Sequence, residues 1–260
     1  MNAPELASRL LAVRDGAPPI EHMPPELQPR DVADAYAVAG LIVAALESRY
    51  GRVRGYKVGA TSLPGQRMLS LSEPFYGRTF APCILADGET WHLGGRPCTV
   101  EAEIGFVMQN DLPPRMEEYS MSTLRAAIGM VVPLLEINRP AYARPFEVGG
   151  LCLIADNGVT QGFVVGAPGL QLEAADPSGE VVNMSRSGVL VASGSGKAVL
   201  GHPLNAVLWL ANALRVRGEG LRAGDVIASG AMAAHVPLAV GDLIDARYST
   251  LGAVRIQVED

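Results

Sequence analysis

The chain has 260 residues, which is long enough for one sizeable core or for a small lobe and a larger one. Apolar residues make up 48% and charged residues 18%, a composition that excludes an intrinsically disordered chain. The formal net charge is −6 and no run of lysine or arginine stands out, so the basic surface that nucleic-acid binding requires is missing. We therefore expect a globular protein without a nucleic-acid partner.

The lengths of the apolar runs and the spacing of the cysteines bear on the cellular compartment of the protein. The longest apolar runs, such as residues 128–135, are far too short to cross a bilayer. Residues 1–14 lack the cationic start and the apolar block of a signal peptide. The cysteines are odd in number, widely spaced and without a CxxC pair, which disfavours a disulfide framework or a zinc site. We expect a cytoplasmic protein with free thiols and no membrane partner.

The first fifty residues have the pattern of two helices joined by a proline-rich segment. Residues 3–14 carry leucines at near-helical spacing. Residues 31–49 form a clearer helix, which Asp31 can cap at the start and Gly51 can close at the end. The sequence therefore predicts an N-terminal helical segment over residues 1–52.

The pattern then changes to short apolar segments separated by glycine, proline, asparagine and aspartate. The predicted strands are 53–59, 83–86, 98–108, 131–137, 161–166, 170–174, 180–184, 188–193, 226–229, 243–248 and 253–258. One long helix begins at His202–Pro203 and ends near Gly218, and residues 113–130 hold another helical turn or two. Strands and helices do not alternate, so the prediction for residues 53–260 is a strand-rich α+β domain.

Two glutamates lie two positions apart in a predicted strand. Since successive side chains of a strand point to opposite faces, Glu101 and Glu103 share one face, about 7 Å apart along the strand. A solvated outer face would explain them equally well. Glu136, however, is embedded in the apolar segment 131–137, where an isolated buried charge is costly.

Three convergent carboxylates repel one another unless a cation lies between them. Ligands that are all oxygen favour a hard ion, Mg²⁺ or Mn²⁺, over zinc. We therefore predict a divalent metal site formed by Glu101, Glu103 and Glu136.

Lys57 lies in an apolar strand that is followed by a turn of small residues. Its side chain can snorkel to the surface. Alternatively, it can orient a substrate carboxylate or take part in proton transfer.

Two further segments have weaker signals. Residues 155–158 (ADNG) are typical of a turn. The glycine-rich run 193–198 is not a P-loop, because Val191 and Ala198 stand where glycine and serine or threonine are required. Its backbone N–H groups can still bind a carboxylate. No glycine-x-serine-x-glycine elbow and no metal-binding histidine spacing is present.

Several segments, in this order, resemble the 2-keto-4-pentenoate hydratase family, within the fumarylacetoacetase superfamily. The resemblance runs from about Gly55 to the C-terminus. The matching segments are 55–62 (GYKVGATS), 100–106 (VEAEIGF), 134–137 (LLEI), 155–157 (ADN), 162–166 (GFVVG), 194–210 (GSGKAVLGHPLNAVLWL) and 223–230 (AGDVIASG). The segment VLGHP, where the long helix begins, is the most specific of them.

The resemblance implies a fumarylacetoacetase-like body of layered mixed sheets with N-terminal helices and one long inserted helix. It also implies Mg²⁺ or Mn²⁺ at the three glutamates, in agreement with the carboxylate argument. Similar proteins add water to 2-hydroxypenta-2,4-dienoate in the breakdown of aromatic compounds, so the expected partner is a small 2-oxo or 2-hydroxy alkenoate. Homo-oligomers are usual in the family, and its hydratases and decarboxylases work as a complex.

On this resemblance we assign expected roles to the remaining site residues. Lys57 is expected to transfer a proton or orient the substrate carboxylate, and Asp156 to position water. Ser62 and the loop Gly194–Ser195–Gly196 are expected to hydrogen-bond the substrate.

The sequence departs from the family pattern at the substrate end. Leu63, Phe75 and Val159 replace a common lysine, a common aspartate and a common serine, and residues 138–140 (NRP) replace a common Asp-Ser-Arg. Arg139 or Arg144 is a candidate for recognising a second carboxylate. Three alternatives to hydration therefore stay open: decarboxylation of 4-oxalocrotonate, C–C bond hydrolysis of an acylpyruvate, and a non-catalytic assembly partner.

Overall fold

The computed structural model describes all 260 residues. The helices are α1 (Ala3–Arg14), α2 (Val32–Tyr50), α3 (Leu63–Met68), α4 (Met121–Ala127), α5 (Gly150–Ala155) and α6 (Pro203–Arg215). The strands are β1 (Val53–Gly59), β2 (Phe75–Phe80), β3 (Ile84–Ala86), β4 (Thr90–His92), β5 (Thr99–Met108), β6 (Ile128–Asn138), β7 (Thr160–Val165), β8 (Ala167–Pro168), β9 (Leu170–Gln171), β10 (Val181–Arg186), β11 (Val189–Ser195), β12 (Val226–Ala231), β13 (Val236–Pro237), β14 (Leu243–Tyr248) and β15 (Gly252–Glu259).

The two longest helices begin and end as their sequences predict. The carboxylate of Asp31 accepts a hydrogen bond from the backbone N–H of Asp34, which satisfies an N–H group that the first turn of α2 leaves free. Gly51 follows α2 at a φ of 78°, a conformation that glycine adopts without a steric penalty. In α6, Pro203 occupies the first turn and the ring of His202 accepts from a backbone N–H.

A nine-stranded mixed sheet forms one layer. Its order is β2-β1-β12-β5-β6-β7-β3, with β13 beside β5 and β9 beside β6. The pairs β1–β12 and β3–β7 are parallel and the others are antiparallel. The register of β5 against β6 places Glu101 directly opposite Glu136, so the centre of the sheet aligns the predicted metal ligands.

A six-stranded sheet forms a second layer, in the order β11-β10-β14-β15-β4 with β8 beside β15. The main apolar core contains buried residues from both sheets and from α6. Tyr248 on β14 joins the sheets directly, because its hydroxyl donates to the backbone oxygens of Glu103 (2.7 Å) and Leu134 (3.0 Å). The α+β fold class and the layered mixed sheets are therefore confirmed.

The N-terminal helices share a second apolar core with the strand-rich body. Leu10 of α1 and Ile42 of α2 are fully buried in one cluster with Phe75, Phe80 and residues of α5. A boundary at residues 52–53 stays a prediction, since α1 and α2 pack tightly on elements from the rest of the chain. No helix combines the length and the apolar character that crossing a membrane requires.

The structure differs from the sequence prediction in several short elements. The predicted helical stretch 113–130 is α4, which is short, and β6 begins directly after it. The predicted strand 170–174 is only Leu170–Gln171 followed by a 3₁₀ turn. The sequence pattern does not predict α3, β2 or α5. β2 contains Arg78, which is buried only because the distant Glu219 pairs with it.

Candidate active site

Three glutamates converge at the middle of the nine-stranded sheet. Glu101 and Glu103 project from one face of β5, and Glu136 projects from the neighbouring position of β6. Each offers a carboxylate oxygen, and these atoms all lie within 4.8 Å of one another. Glu103 and Glu136 are 1% and 0% exposed, which excludes the solvated outer face for these two residues. The strand alternation therefore predicted the convergence, while the role as metal ligands stays a prediction.

The environment of the cluster disfavours three uncompensated negative charges. Burial raises the pKa of Glu103 well above its usual value, and the charges of Glu136 and Glu101 raise it further. Burial also raises the pKa of Glu136, in spite of the opposing charge of Lys57. A cation between the carboxylates would relieve both effects.

The donor set fits a hard divalent cation. Both carboxylate oxygens of Glu136 are buried and lack a hydrogen-bond partner, although buried polar atoms are nearly always paired. The other two glutamates are held in place by single hydrogen bonds. Asn138 donates to Glu101 (3.0 Å), and the backbone N–H of Gly230 donates to Glu103 (2.7 Å). Free oxygens remain on all three side chains, and oxygen ligands of this kind suit Mg²⁺, Mn²⁺ or Ca²⁺.

Lys57 of β1 lies beside this cluster. Its Nζ is 3.5 Å from Oε2 of Glu136, and its side chain is only 5% exposed, so it does not snorkel to the surface. Burial alone would lower the pKa of Lys57, but the charges of Glu136, Glu101 and Glu103 outweigh burial and the pKa is raised. The ammonium group is therefore held charged next to the carboxylates.

A cavity of about 400 Å³ opens onto Lys57, Glu101 and Glu103. Its other walls come from α3, the loop after β6, α5 and the segment after β12. Among its apolar lining residues are Met68, Leu69, Phe75, Phe146, Leu153 and Val159. The Phe75 ring centroid lies 5.2 Å from Nζ of Lys57, so the apolar lining of the cavity begins next to its charged residues.

Phe75 can lie there because residue 59 is glycine. A Cβ at Gly59 would be 2.3 Å from the Phe75 ring, far inside van der Waals contact. Ser62 also lines the cavity, and its Oγ accepts from the backbone N–H of Gly65 (3.2 Å). Its hydroxyl proton is therefore free to be donated to a ligand.

The glycine-rich loop does not line the cavity. A Cβ at Gly194 would lie 1.9 Å from the backbone oxygen of Met232, and one at Gly196 would lie 1.8 Å from that of Pro177. The glycines are thus required for close packing of the backbone. Ser195 does not line the cavity either, and only Ala198 from this part of the chain reaches it. The structure does not bring Gly194, Ser195 and Gly196 to the site as expected.

Asp156 also lies outside the cavity. It is fully buried, and its Oδ2 accepts from the backbone N–H of Ala141 (2.7 Å) while Arg14 of α1 donates to its Oδ1 (3.2 Å). Burial raises the pKa of Asp156, although Arg14 and the Ala141 N–H oppose the shift. Its oxygens are engaged in holding α1 and the loop after β6, so a water-positioning role has no geometric support.

The turn at residues 157–159, directly after Asp156, reaches the cavity. Asn157, Gly158 and Val159 all have positive φ angles, of 52°, 66° and 58°. Such an angle is a strained conformation for a β-branched residue, and Val159 lines the cavity. The side chain of Asn157 fixes the turn by bonding to the backbone N–H and oxygen of Arg78.

The two arginines that are candidates for recognising a second carboxylate do not line the cavity. Arg139 donates to Sγ of Cys98 (2.9 Å) and to the backbone oxygen of Leu93 (2.7 Å). Arg144 is exposed and pairs with Glu147. Leu63, one of the departures at the substrate end, is 65% exposed and also lies outside the cavity lining.

From the sequence, Asn138 is only a departure from the family pattern with no assigned role, whereas its side chain lines the cavity and orients Glu101. Asn138 is two positions after Glu136 in β6, so the alternation rule would have placed both on one face. A larger cavity of about 640 Å³ lies beside α2, but its acidic residues Glu47, Asp111 and Glu219 do not form a cluster that could hold a metal ion. Arg78 at its wall is already paired with Glu219 at 2.6 Å.

Comparison with known proteins gives a consistent result. Residues 77–259 match the model of the fumarylacetoacetate (FAA) hydrolase C-terminal family. The chain is 34% identical to a 2-keto-4-pentenoate hydratase of Paraburkholderia xenovorans (strain LB400), over 98% of this chain and 94% of that protein.

Two solved structures of 4-oxalocrotonate decarboxylase from Pseudomonas putida G7 are also similar. The complex with calcium and acetate has a TM-score of 0.89 and 31% identity, covering 98% of this chain and 96% of that one. The complex with magnesium and adipate has a TM-score of 0.88 and 30% identity, covering 99% and 98%.

Proposed function

The chain belongs to the fumarylacetoacetate hydrolase family, in the group of 2-keto-4-pentenoate hydratases and 4-oxalocrotonate decarboxylases, and from this premise we propose that it is a divalent-metal-dependent hydratase. It adds water to a 2-hydroxy-2,4-dienoate to give a 4-hydroxy-2-oxo acid, in the breakdown of aromatic compounds. One observation carries the proposal: three carboxylates converge, two of them buried, and Glu101 and Glu103 of this cluster open onto a cavity sized for a small acid.

Glu101, Glu103 and Glu136 would hold the ion, which we take to be Mg²⁺ or Mn²⁺. When bound, such an ion supplies a Lewis acid that polarises the 2-oxygen and the carboxylate of an oxo acid. Asn138 and the backbone N–H of Gly230 orient two of the three carboxylates.

The remaining chemistry falls to Lys57 and Ser62. Nζ of Lys57 holds a proton and borders the cavity, so it can deliver that proton to C5 while the 2-hydroxyl loses its own proton to solvent and becomes the ketone oxygen. Lys57 then regains a proton from solvent. Water then adds across the C3–C4 double bond, with oxygen at C4 and a proton at C3. Ser62 Oγ–H donates to the substrate carboxylate and so fixes the orientation of the chain.

Turnover with a panel of substrates tests this proposal. The purified protein is incubated with Mg²⁺ or Mn²⁺ and with 2-hydroxydienoates and 2-oxo-enedioates, while water addition and CO₂ release are followed separately. We expect metal-dependent water addition that a chelator removes. If no compound is turned over and neither oxalate nor pyruvate binds in a metal-dependent way, the proposal is wrong.

Decarboxylation of a vinylogous β-keto acid is the second candidate. The close superposition on 4-oxalocrotonate decarboxylase favours it, since the same metal site could serve as an electron sink. Release of CO₂ in the assay above would select this function.

We further propose a cytoplasmic homo-oligomer. The three free cysteines fit a reducing compartment. Light scattering of the purified protein would give the subunit number, and co-purification would test for a complex with a related decarboxylase.

A further inference from the structure

His235 is the one ionisable side chain of the cavity that has no role in the chemistry described above. The ionisable groups of the lining are Lys57, Glu101, Glu103 and His235. The two glutamates belong to the carboxylate cluster that would hold the ion, and Lys57 already carries its proton. His235 is therefore the only group of the lining that is left to accept a proton from water.

The strand pairing around β5 explains why His235 faces the glutamates. Residue 235 directly precedes β13, in which Val236 pairs with Val100 of β5. Val236 is 5% exposed and belongs to the main apolar core, so the side chain before it points to the opposite face of the sheet. Glu101 follows Val100 and points to that face as well. His235 and Glu101 thus reach the same cavity from neighbouring strands.

The imidazole ring of His235 is positioned by stacking and not by hydrogen bonds. It stacks on Phe146 from the loop after β6, with ring centroids 5.4 Å apart and 27° between the ring planes. Neither ring nitrogen of His235 bonds to another residue, whereas His92 and His202 each use Nδ1 in a bond to the chain. Stacking covers a face of the ring and leaves its nitrogens free, so one of them can accept a hydrogen bond from water in the cavity.

We propose, building on the hydratase function above, that His235 is the general base that activates the water added at C4. A neutral ring nitrogen takes one proton from the water while the water oxygen bonds to C4, and the electron pair of the C3–C4 double bond moves towards the 2-oxygen. The imidazolium then gives the proton to C3, the 2-oxo group forms again, and His235 returns to its neutral state. The net change is the addition of one water molecule.

The ketone isomer of the dienol, 2-oxopent-3-enoate, isolates this step, because it needs no proton at C5. Loss of its conjugated absorbance is followed with Mg²⁺ at pH 8, where imidazole groups are neutral. His235→Gln keeps a polar side chain that cannot act as a base, and the position is exposed, so the variant is compatible with folding. We expect its kcat to fall by roughly 10²-fold, with KM within several-fold of the wild type.

Two further variants control for other effects of the substitution. His22→Gln changes another exposed histidine, which lies outside the cavity lining, and should leave kcat unchanged. His235→Ala removes the ring and leaves room for free imidazole. Added imidazole should restore the turnover of His235→Ala in proportion to its concentration, without raising that of the wild type.

Deuterium uptake distinguishes a catalytic role of His235 from a structural one. The dienol is incubated with each protein in D₂O, and NMR follows deuterium at C5 together with the ketone isomer. In His235→Gln we expect enzyme-dependent deuteration at C5 at the wild-type rate and accumulation of the ketone. In Lys57→Gln we expect deuteration at C5 to be the step that slows.

The outcomes separate this inference from the function on which it rests. Loss of water addition with C5 deuteration retained, and rescue of His235→Ala by imidazole, support His235 as the base. An unchanged kcat in His235→Gln overturns the inference, and so does an equal loss of both steps or the absence of rescue. If the wild type with Mg²⁺ adds water to neither isomer, the hydratase proposal itself is wrong.

Discussion

Lys57 and Glu136 form a buried ion pair across two strands that are not neighbours, with Nζ 3.5 Å from Oε2. The distance is long for a hydrogen bond, and both Glu136 oxygens remain without one. The pair therefore leaves the carboxylate free to bind a cation and leaves the ammonium free to act on a ligand in the cavity.

Lys57→Gln separates these two roles. The amide keeps a polar group in the cavity but cannot deliver a proton, so we expect kcat to fall by roughly 10²-fold or more. We expect Mg²⁺ to raise the melting temperature of the variant as it does for the wild type, because the three carboxylates are intact. Steady-state kinetics and thermal unfolding measure the two effects. A variant that keeps its kcat would show that Lys57 transfers no proton.

Glu103→Gln tests the metal site. The amide oxygen can still accept from the backbone N–H of Gly230, so the local structure should persist. Removing one of three neighbouring charges should raise the stability of the metal-free protein, because repulsion in a buried cluster falls. We expect the Mg²⁺-dependent rise in melting temperature to disappear, together with metal-dependent turnover.

The matched control for Glu103→Gln is Glu117→Gln, which removes the same charge from an exposed loop residue outside the cluster. It should leave the response to Mg²⁺ unchanged. If Glu103→Gln still responds to Mg²⁺ like the wild type, Glu103 is not a ligand.

The centre of the sheet was predictable because its signals are local. The alternation in β5 placed Glu101 and Glu103 on one face, and the apolar run of β6 marked Glu136 as buried. β2 was not predictable in this way. It is buried at every position although it contains Arg78, and the Glu219 carboxylate that neutralises Arg78 lies 141 positions along the chain.

Long-range packing also explains why some residues expected at the site lie outside the cavity lining. The spacing of Gly194 and Gly196 suggested a ligand-binding loop, whereas the structure uses both glycines for contact with backbone carbonyls from other segments. The residues around Asp156 have the pattern of a turn, and the family resemblance made Asp156 a candidate site residue. Its real partners, Arg14 and Ala141, come from two separate elements, and no sequence pattern links them.

Asp156→Asn tests the structural role of that carboxyl group through pH. Because burial raises its folded-state pKa above 3.8, the folded protein holds the proton more tightly than the unfolded chain does. The resulting stability is fully present below the unfolded pKa and is lost as pH rises through the folded value. The free energy of unfolding of the wild type, relative to Asp156→Asn, should therefore decrease with rising pH over this window.

Urea unfolding of both proteins between pH 3.5 and pH 8 measures that difference. Turnover of Asp156→Asn at pH 8 should stay within several-fold of the wild type, because the carboxylate does not line the cavity. If the stability of the wild type relative to Asp156→Asn instead increases with pH, the ion pair with Arg14 lowers the pKa of Asp156 by more than burial raises it. If Asp156→Asn is fully folded but has lost turnover, Asp156 takes part in catalysis as the family resemblance implies.

Tyr248→Phe tests the link between the two sheets. The variant removes the one hydroxyl proton that the backbone oxygens of Glu103 and Leu134 share, while keeping the ring in the core. We expect the free energy of unfolding to fall by about 1–3 kcal/mol, because the two acceptors lose a buried donor.

Tyr50→Phe is the control for this stability change, since Tyr50 is 42% exposed. It should change the free energy of unfolding by less than about 0.5 kcal/mol. Since Tyr248 holds the backbone at Glu103, we also expect weaker Mg²⁺ binding in Tyr248→Phe, measured by calorimetry. Unchanged Mg²⁺ affinity together with lower stability would confine Tyr248 to the core.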